Sequence, residues 1–282
     1  IDTRGKELTK LKYDGLSEFS EGYAAIKVGD KFGFINKKGV EITQPVYDVV
    51  LPFHEGFALV KEENKFGYVN EKGTASIPPQ YEGGTPFQDG LALVKKDSLM
   101  GFIDHDGTVV IGFLYAAANI FSEGLAAVKT NGLVGFINAS GETVIPFQYE
   151  NANNFREGMA LIQQHQTFGY IDKKGTVVIA PQFTGANDFH EGVALIDSGG
   201  WAMMNKEGKI TTLSQYTTVM NFENGFARAE RDQRWGYIDI NGHEVIPAKY
   251  EDADDFEGGL ALVKVNGNWG YIDTNGKEFF RE

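Results

Sequence analysis

The chain has 282 residues, 39 acidic against 26 basic, a formal net charge of −13, a pI near 4.9 and no cysteine. No cysteine means no disulfide framework and no thiolate chemistry, and the excess negative charge opposes a phosphate backbone, so no nucleic acid partner is expected. Hydrophobic residues at 42% and aromatics at 13% suffice for a packed core and exclude a disordered chain.

An anchoring phenylalanine recurs at Phe19, Phe53, Phe87, Phe121, Phe155, Phe189, Phe222 and Phe256, 34 residues apart except for one step of 33. Such a period identifies a repeat architecture. The reading is a single array over 1–282: a half unit at 1–12, then units starting near 13, 47, 81, 115, 149, 183, 216 and 250. In the half unit, Ile1, Asp2 and Gly5 align with Ile272, Asp273 and Gly276 of the last copy. The chain begins at Ile1 without Met or a signal peptide and is read as a trimmed or processed form. The absence of cysteine is compatible with any compartment and leans toward an extracytoplasmic or cell-surface bacterial protein.

Each unit predicts four short segments. The first runs from an aromatic such as Tyr47 to the anchoring Phe and is a short strand or structured loop. A tight F-x-E-G turn leads to a strand such as LALVK, Leu91 to Lys95, apolar on both faces and so expected to be covered on both sides. The third segment, for example FGYID (Phe168 to Asp172), carries a mid-strand glycine, which is costly unless something approaches closely; a neighbouring unit's aromatic is the expected occupant. It ends in Asx followed three residues later by Gly, as in NKKG (Asn36 to Gly39), which is turn chemistry. The fourth segment, such as EVIP (Glu244 to Pro247), is a strand closed by proline and suits a sheet edge. The most apolar run, Val109 to Phe121, is too short to span a bilayer and reads as core, so no membrane insertion is expected.

WGYIDTNGKE (Trp269 to Glu278), WGYIDINGHEVIP (Trp235 to Pro247) and the F-x-E-G-L-A segments resemble the WG (KWG) repeat family, common in bacterial proteins, over the whole chain. The resemblance implies a β-rich repeat and brings no shared catalytic residues. Phe, Met or Val replaces Trp in the first five copies. The sixth departs most: WAMMN lacks the glycine and TTLSQY the proline, which predicts irregular packing between Asp197 and Tyr216.

The expected fold is all-β and β-propeller-like, with about eight blades of short antiparallel strands. The alternative is an open β-hairpin superhelix or solenoid, which accommodates half units and a ~34-residue repeat more readily than a propeller, whose commonest repeats need ~40.

Signals for chemistry are few, because 24 of the 35 glycines fall on three repeated positions and so belong to the fold. The acid of the F-x-E-G turn (Glu21, Glu55, Asp89, Glu123, Glu157, Glu191) is either a rim of carboxylates facing a cation or basic partner, or a set of caps, each on its own turn. Capping is the favoured reading. D-x-N-G-x-E at Asp239 to Glu244 and Asp273 to Glu278 resembles the start of a calcium loop but lacks the distal ligands. His54, His105, His165, His190 and His243 show no ligand spacing, so no metal site and no cofactor are expected.

No nucleophile or phosphate-binding motif appears, and no catalytic residue is assigned. The remaining anomaly is FARAERDQRWGY, Phe222-anchored, where Arg228 replaces an apolar strand residue. Trp201, Arg228, Arg231 and Arg234 are the candidate recognition patch, since Trp and Arg anchor interfaces; the competing reading is repeat decay balanced by local ion pairs. The functional expectation is a non-enzymatic repeat scaffold for a protein or glycan partner. The alternatives are a carbohydrate-binding propeller with several equivalent pockets and, less favoured, a glycan-active hydrolase with a carboxylate site.

Overall fold

The computed structural model describes residues 12–280. All but Lys12 of the half unit at 1–12 therefore lies outside the described residues. The chain divides into two compact halves, Ile1–Gln148 and Tyr149–Glu282. The described elements are strands, gathered into eight four-stranded antiparallel sheets, and within every sheet the strands follow one another in chain order. Each sheet therefore has the form of one propeller blade, with its first and fourth strands as edges.

The second sheet shows how the repeat makes this form. Its strands are Val49–Val50, Phe57–Glu62, Lys65–Asn70 and Ala75–Tyr81. The aromatic that opens the sequence repeat, here Tyr81, is thus the last residue of a fourth strand. Between first and second strands, Glu55 (φ 52°) and Gly56 (φ 78°) both take left-handed backbone and close a two-residue turn. Glu63 (φ 48°) and Asn64 (φ 63°) do the same between second and third. The Asx turn follows: Asn70 Oδ1 accepts the Lys72 and Thr74 N–H groups, and Gly73 stands at φ 74°. The second strand is covered on both faces as expected, with Ala58, Leu59 and Val60 all buried.

The mid-strand glycine has another reason than the one expected. Tyr81 pairs with Phe66 and Ile77 with Tyr68, so the fourth strand carries extra residues in a bulge opposite Gly67. A Cβ on Gly67 would lie 2.4 Å from the Ile77 carbonyl oxygen and 2.6 Å from the Pro79 nitrogen. The occupant is backbone of the same sheet, not a neighbour's aromatic. Proline is tolerated because this strand is an edge and its outward N–H has no ladder partner to lose. At Gly270 an aromatic does fill the space, the ring of Phe280.

Within each half, consecutive sheets are joined by the anchoring rings. Phe87 lies 5.2 Å from Phe57 and 4.7 Å from Tyr68 of the sheet before it, and Phe256 lies 4.9 Å from Phe226 and 4.7 Å from Tyr237. The buried hydroxyls of Tyr68, Tyr170 and Tyr237 each donate to a carbonyl 17 residues on, at Thr85, Asn187 and Asp254, at 2.6 to 2.8 Å. Burial pushes all three phenols far above their ordinary pKa. Phe19 is 45% exposed, since among the described residues no sheet precedes its own.

The apolar run from Val109 is only half core. Ile111, Tyr115 and Phe121 are buried, whereas Val109, Val110 and Leu114 on the edge strand Val109–Tyr115 are exposed.

The irregular sixth copy still forms four strands: Gly185–Ala186, Val193–Asp197, Trp201–Asn205 and Ile210–Thr212. Its third and fourth strands pair in plain register, Ala202 with Thr212 and Met203 with Thr211. Where the bulge is absent, alanine fits in place of glycine. The register differs by one residue from the fifth sheet, so the inward side of the strand changes, and Leu213 becomes fully buried. The residue missing from the 33-residue step is in the hairpin turn: Ser198, Gly199 and Gly200 replace the four residues His165-turn copies carry between equivalent pairs.

Candidate functional site

The repeated acids cap the next unit's turn rather than their own. Glu21 accepts from the N–H groups of Glu55 and Gly56 at 3.0 and 2.8 Å, Glu55 from Gly90, Glu157 from Gly192 and Glu191 from Gly225. The left-handed turn exposes consecutive N–H groups as a small anion nest, which the preceding carboxylate fills. Where the acid is replaced by Asn224, its Nδ2 donates instead to the Phe256 carbonyl at 2.7 Å. Partial burial opposes ionisation of Glu157, but Lys206 and the Gly192 N–H together hold it below the usual carboxylate range.

The D-x-N-G segments are likewise occupied by their own backbone. Asp239 Oδ1 accepts from Asn241 and His243, and Asp273 Oδ1 from Asn275 and Lys277. Among the described residues no group of three or more His, Asp or Glu could hold a metal ion. His105 stacks on Phe57 at 4.8 Å and meets Glu55 at 3.2 Å, while His243 meets Asp239 at 3.2 Å.

The candidate patch is distributed over two sheets. Arg228 and Arg231 lie on the strand Phe226–Arg231 and Arg234 on Arg234–Asp239, both in the seventh sheet, whereas Trp201 belongs to the sixth. Arg228 grips Asp255 with two nitrogens at 2.7 and 3.2 Å, donates to the Ala253 carbonyl at 2.7 Å, and lies over the Trp235 ring. It therefore clamps the seventh sheet to the eighth. Arg231 pairs with Glu244 at 3.1 Å and lies over Tyr216, and Arg234 meets Glu251 at 3.6 Å. The Trp201 indole N–H donates to the Thr217 carbonyl at 3.1 Å.

Beside Trp201 the sequence reading overlooked Asp197 and Gly200, which line an open concavity of about 290 Å³ with it. One signal was available: Asp197 stands where Lys27, Lys61, Lys95, Lys129 and Lys264 stand in other copies. The acceptor Asp255 left no such trace, because its equivalents vary freely among Glu18, Pro52, Pro86, Ile120 and others.

One four-stranded antiparallel sheet per repeat, with ionisable side chains that largely join turns and sheets, defines an all-β, propeller-like repeat protein. The model of the WG containing repeat matches residues 1–32, 32–66, 66–99, 100–133, 135–166, 168–200, 201–235 and 235–269, and the chain belongs to this family. The matched segment 201–235 begins on a third strand at Trp201 and ends on the next third strand at Trp235, so the family's repeat is staggered against the sheets. No curated protein matches the chain. Among solved structures, a crystal structure described as a eukaryotic initiation factor is similar with a TM-score of 0.57 and 10% identity, over 96% of this chain and 89% of that one. Kluyveromyces lactis Hsv2p aligns at a TM-score of 0.40 and 10% identity, over 89% and 92%. Dihydro-heme d1 dehydrogenase NirN in complex with DHE aligns at 0.44 and 12%, over 94% and 71%. The first likeness concerns the fold alone, and the other two superpose too loosely to carry an argument.

Proposed function

We propose that this chain is a non-catalytic scaffold that binds a protein partner. The observation that carries the reading is the commitment of its ionisable groups to architecture: turn acids cap neighbouring turns, Asx side chains cap their own, and the three candidate arginines are each paired. A general acid at neutral pH needs a carboxyl pushed upward. Glu41, Asp48, Glu157, Asp172, Asp197, Asp239 and Glu278 are instead pulled downward.

The contact surfaces assigned to this role are, within each half, the edges of the fourth strands. Their second residue is an exposed valine at Val110 and Val144 in the first half and at Val178 and Val245 in the second, each between 40% and 43% exposed. Single exposed apolar residues need no explanation, but a position that is a solvent-facing valine in four of the eight sheets offers a repeated contact. A test is capture from lysate by the immobilised chain beside a V110K/V144K/V178K/V245K variant with unchanged circular dichroism. Saturable capture lost in the variant supports the reading; equal capture by both, or turnover of a glycan substrate, sinks it.

A glycan reading has one observation in its favour. Trp269 and Tyr271, two residues apart on the strand Asn268–Asp273, are 45% and 50% exposed and form an aromatic platform. The equivalent Tyr237 is buried against Phe256 of the following sheet, whereas among the described residues no sheet follows that of Tyr271. Quenching of Trp269 fluorescence by a neutral oligosaccharide, lost in W269L, would favour it.

A further inference from the structure

A cation stacked on the first ring of the third strand is a recurrent device of this fold. Lys27 lies over Phe32, Lys61 over Phe66 and Lys264 over Trp269, at 5.6, 5.4 and 5.6 Å, each from the residue directly across the hairpin. At Trp235 the residue across is Glu230, and the cation comes from Arg228, two residues earlier on the same strand face, at 5.8 Å. The sixth sheet has neither arrangement. Asp197 stands across from Trp201, and Leu195 stands where Arg228 would. Gln163 across from Phe168 also leaves a ring without a cation, but it brings no charge to attract one.

We propose that Trp201 and Asp197 form a binding site for an arginine or lysine side chain of a basic protein partner, completing in trans the stack that other copies complete within the chain. The proposal rests on the reading of the chain as a protein-binding scaffold and names the chemistry of one contact. Among the described residues, no cation of this chain lies over Trp201. Tryptophan is the best ring for such a contact, and its N–H bond to Thr217 fixes the ring's orientation.

Three further features suit a cationic side chain. The concavity of about 290 Å³ lined by Asp197, Gly200 and Trp201 lies just below the ~300–1,000 Å³ range of small-molecule sites, which is room for one head group. The shortened turn carries Gly199 and Gly200, around which a Cβ would meet nothing within 4 Å, so no side chain from them overhangs the ring. The Gly200 and Gly199 N–H groups, both bonded to Oδ1 at 3.0 Å, hold the Asp197 carboxyl below its ordinary range, and it makes no ion pair among the described residues. The net charge of −13 draws basic segments toward the chain as a whole.

The three tryptophans make the test direct, because each contributes one indole N–H signal to a nitrogen-15 correlation spectrum. W201L assigns the signal of Trp201. Titration with an acetylated tetra-arginine amide should move that signal saturably and leave those of Trp235 and Trp269, whose rings already carry cations, in place; acetylated tetra-aspartate should move none. D197K, which installs the arrangement of Lys264 and Trp269, should keep the fold and weaken the peptide by about two- to thirtyfold, the range a cation–π contact represents. Equal movement of all three signals, no movement, or unchanged affinity in D197K overturns the proposal. Undiminished capture of the lysate partner by D197K would overturn it as well while leaving the scaffold reading standing; movement of Trp201 without any captured partner would count against the scaffold alone.

Discussion

Gly67 and Ala202 occupy the same repeat position under opposite constraints. A methyl group on Gly67 would collide with the Ile77 carbonyl, while Ala202 lies in a sheet whose fourth strand has no bulge. Gly67→Ala is expected to destabilise the chain by about 2 kcal/mol or more, as overpacking against backbone does, and Ala202→Gly by only about 0.5–1 kcal/mol. Urea unfolding of both variants checks this; equal costs would show that the bulge does not demand the glycine. The turn acids invite a similar comparison. Glu157→Gln keeps a weaker acceptor for Gly192 but loses Lys206, and after discounting for solvent should cost about 1 kcal/mol. That the acid is a cap was legible from F-x-E-G itself. Its target was not, because nothing local says that a side chain reaches a turn some 35 residues away.

At the scale of elements, six of the eight hairpins between second and third strands use a two-residue turn with both residues left-handed. His165 (φ 50°) and Gln166 (φ 63°) occupy it, and neither is the Asn, Asp or Gly that such a turn prefers. H165N/Q166G supplies the preferred pair and should raise stability by about 1 kcal/mol, read as a higher urea midpoint at unchanged slope. A lower midpoint would mean that the turn is held by contacts of those side chains. The anchoring rings work in the other direction: Phe87→Ala removes a fully buried ring set against Phe57 and Tyr68 and should cost about 3–5 kcal/mol. Element boundaries were less legible than element types. Tyr81 reads as the opening of a unit because the period can be cut anywhere, whereas hydrogen bonding places it at the end of a fourth strand.

Across the whole molecule, the carboxylates determine the response to acid. Lys31 holds Asp48, Lys249 holds Glu278, and the Thr176 N–H leads in holding Asp172, each below its ordinary value. Groups depressed in the folded state contribute stability that is present above the unfolded pKa, about 3.9 for Asp and 4.3 for Glu, and is lost as pH falls through the folded values. The melting temperature should therefore stay nearly level down to about pH 5 and fall steeply below about pH 4, with E157Q less steep than the parent. A melting temperature constant to pH 3 would contradict the assignment of these pairs.

Periodicity, turn residues and two-sided apolar strands were sufficient to determine an all-β repeat with four strands per unit, because each is a local pattern repeated often enough to rule out accident. Composition likewise leaves this sequence without a cysteine thiol. Tertiary structure decided what the local pattern leaves open: that Gly67 makes room for a bulge of its own sheet, that Glu21 caps a turn in the next unit, and that Arg228 closes on Asp255. It also decided that Trp201 faces an acid where other rings carry a cation. These are pairings between residues far apart in the chain. Side-chain type specifies only what a group can bond to, and packing selects the partner.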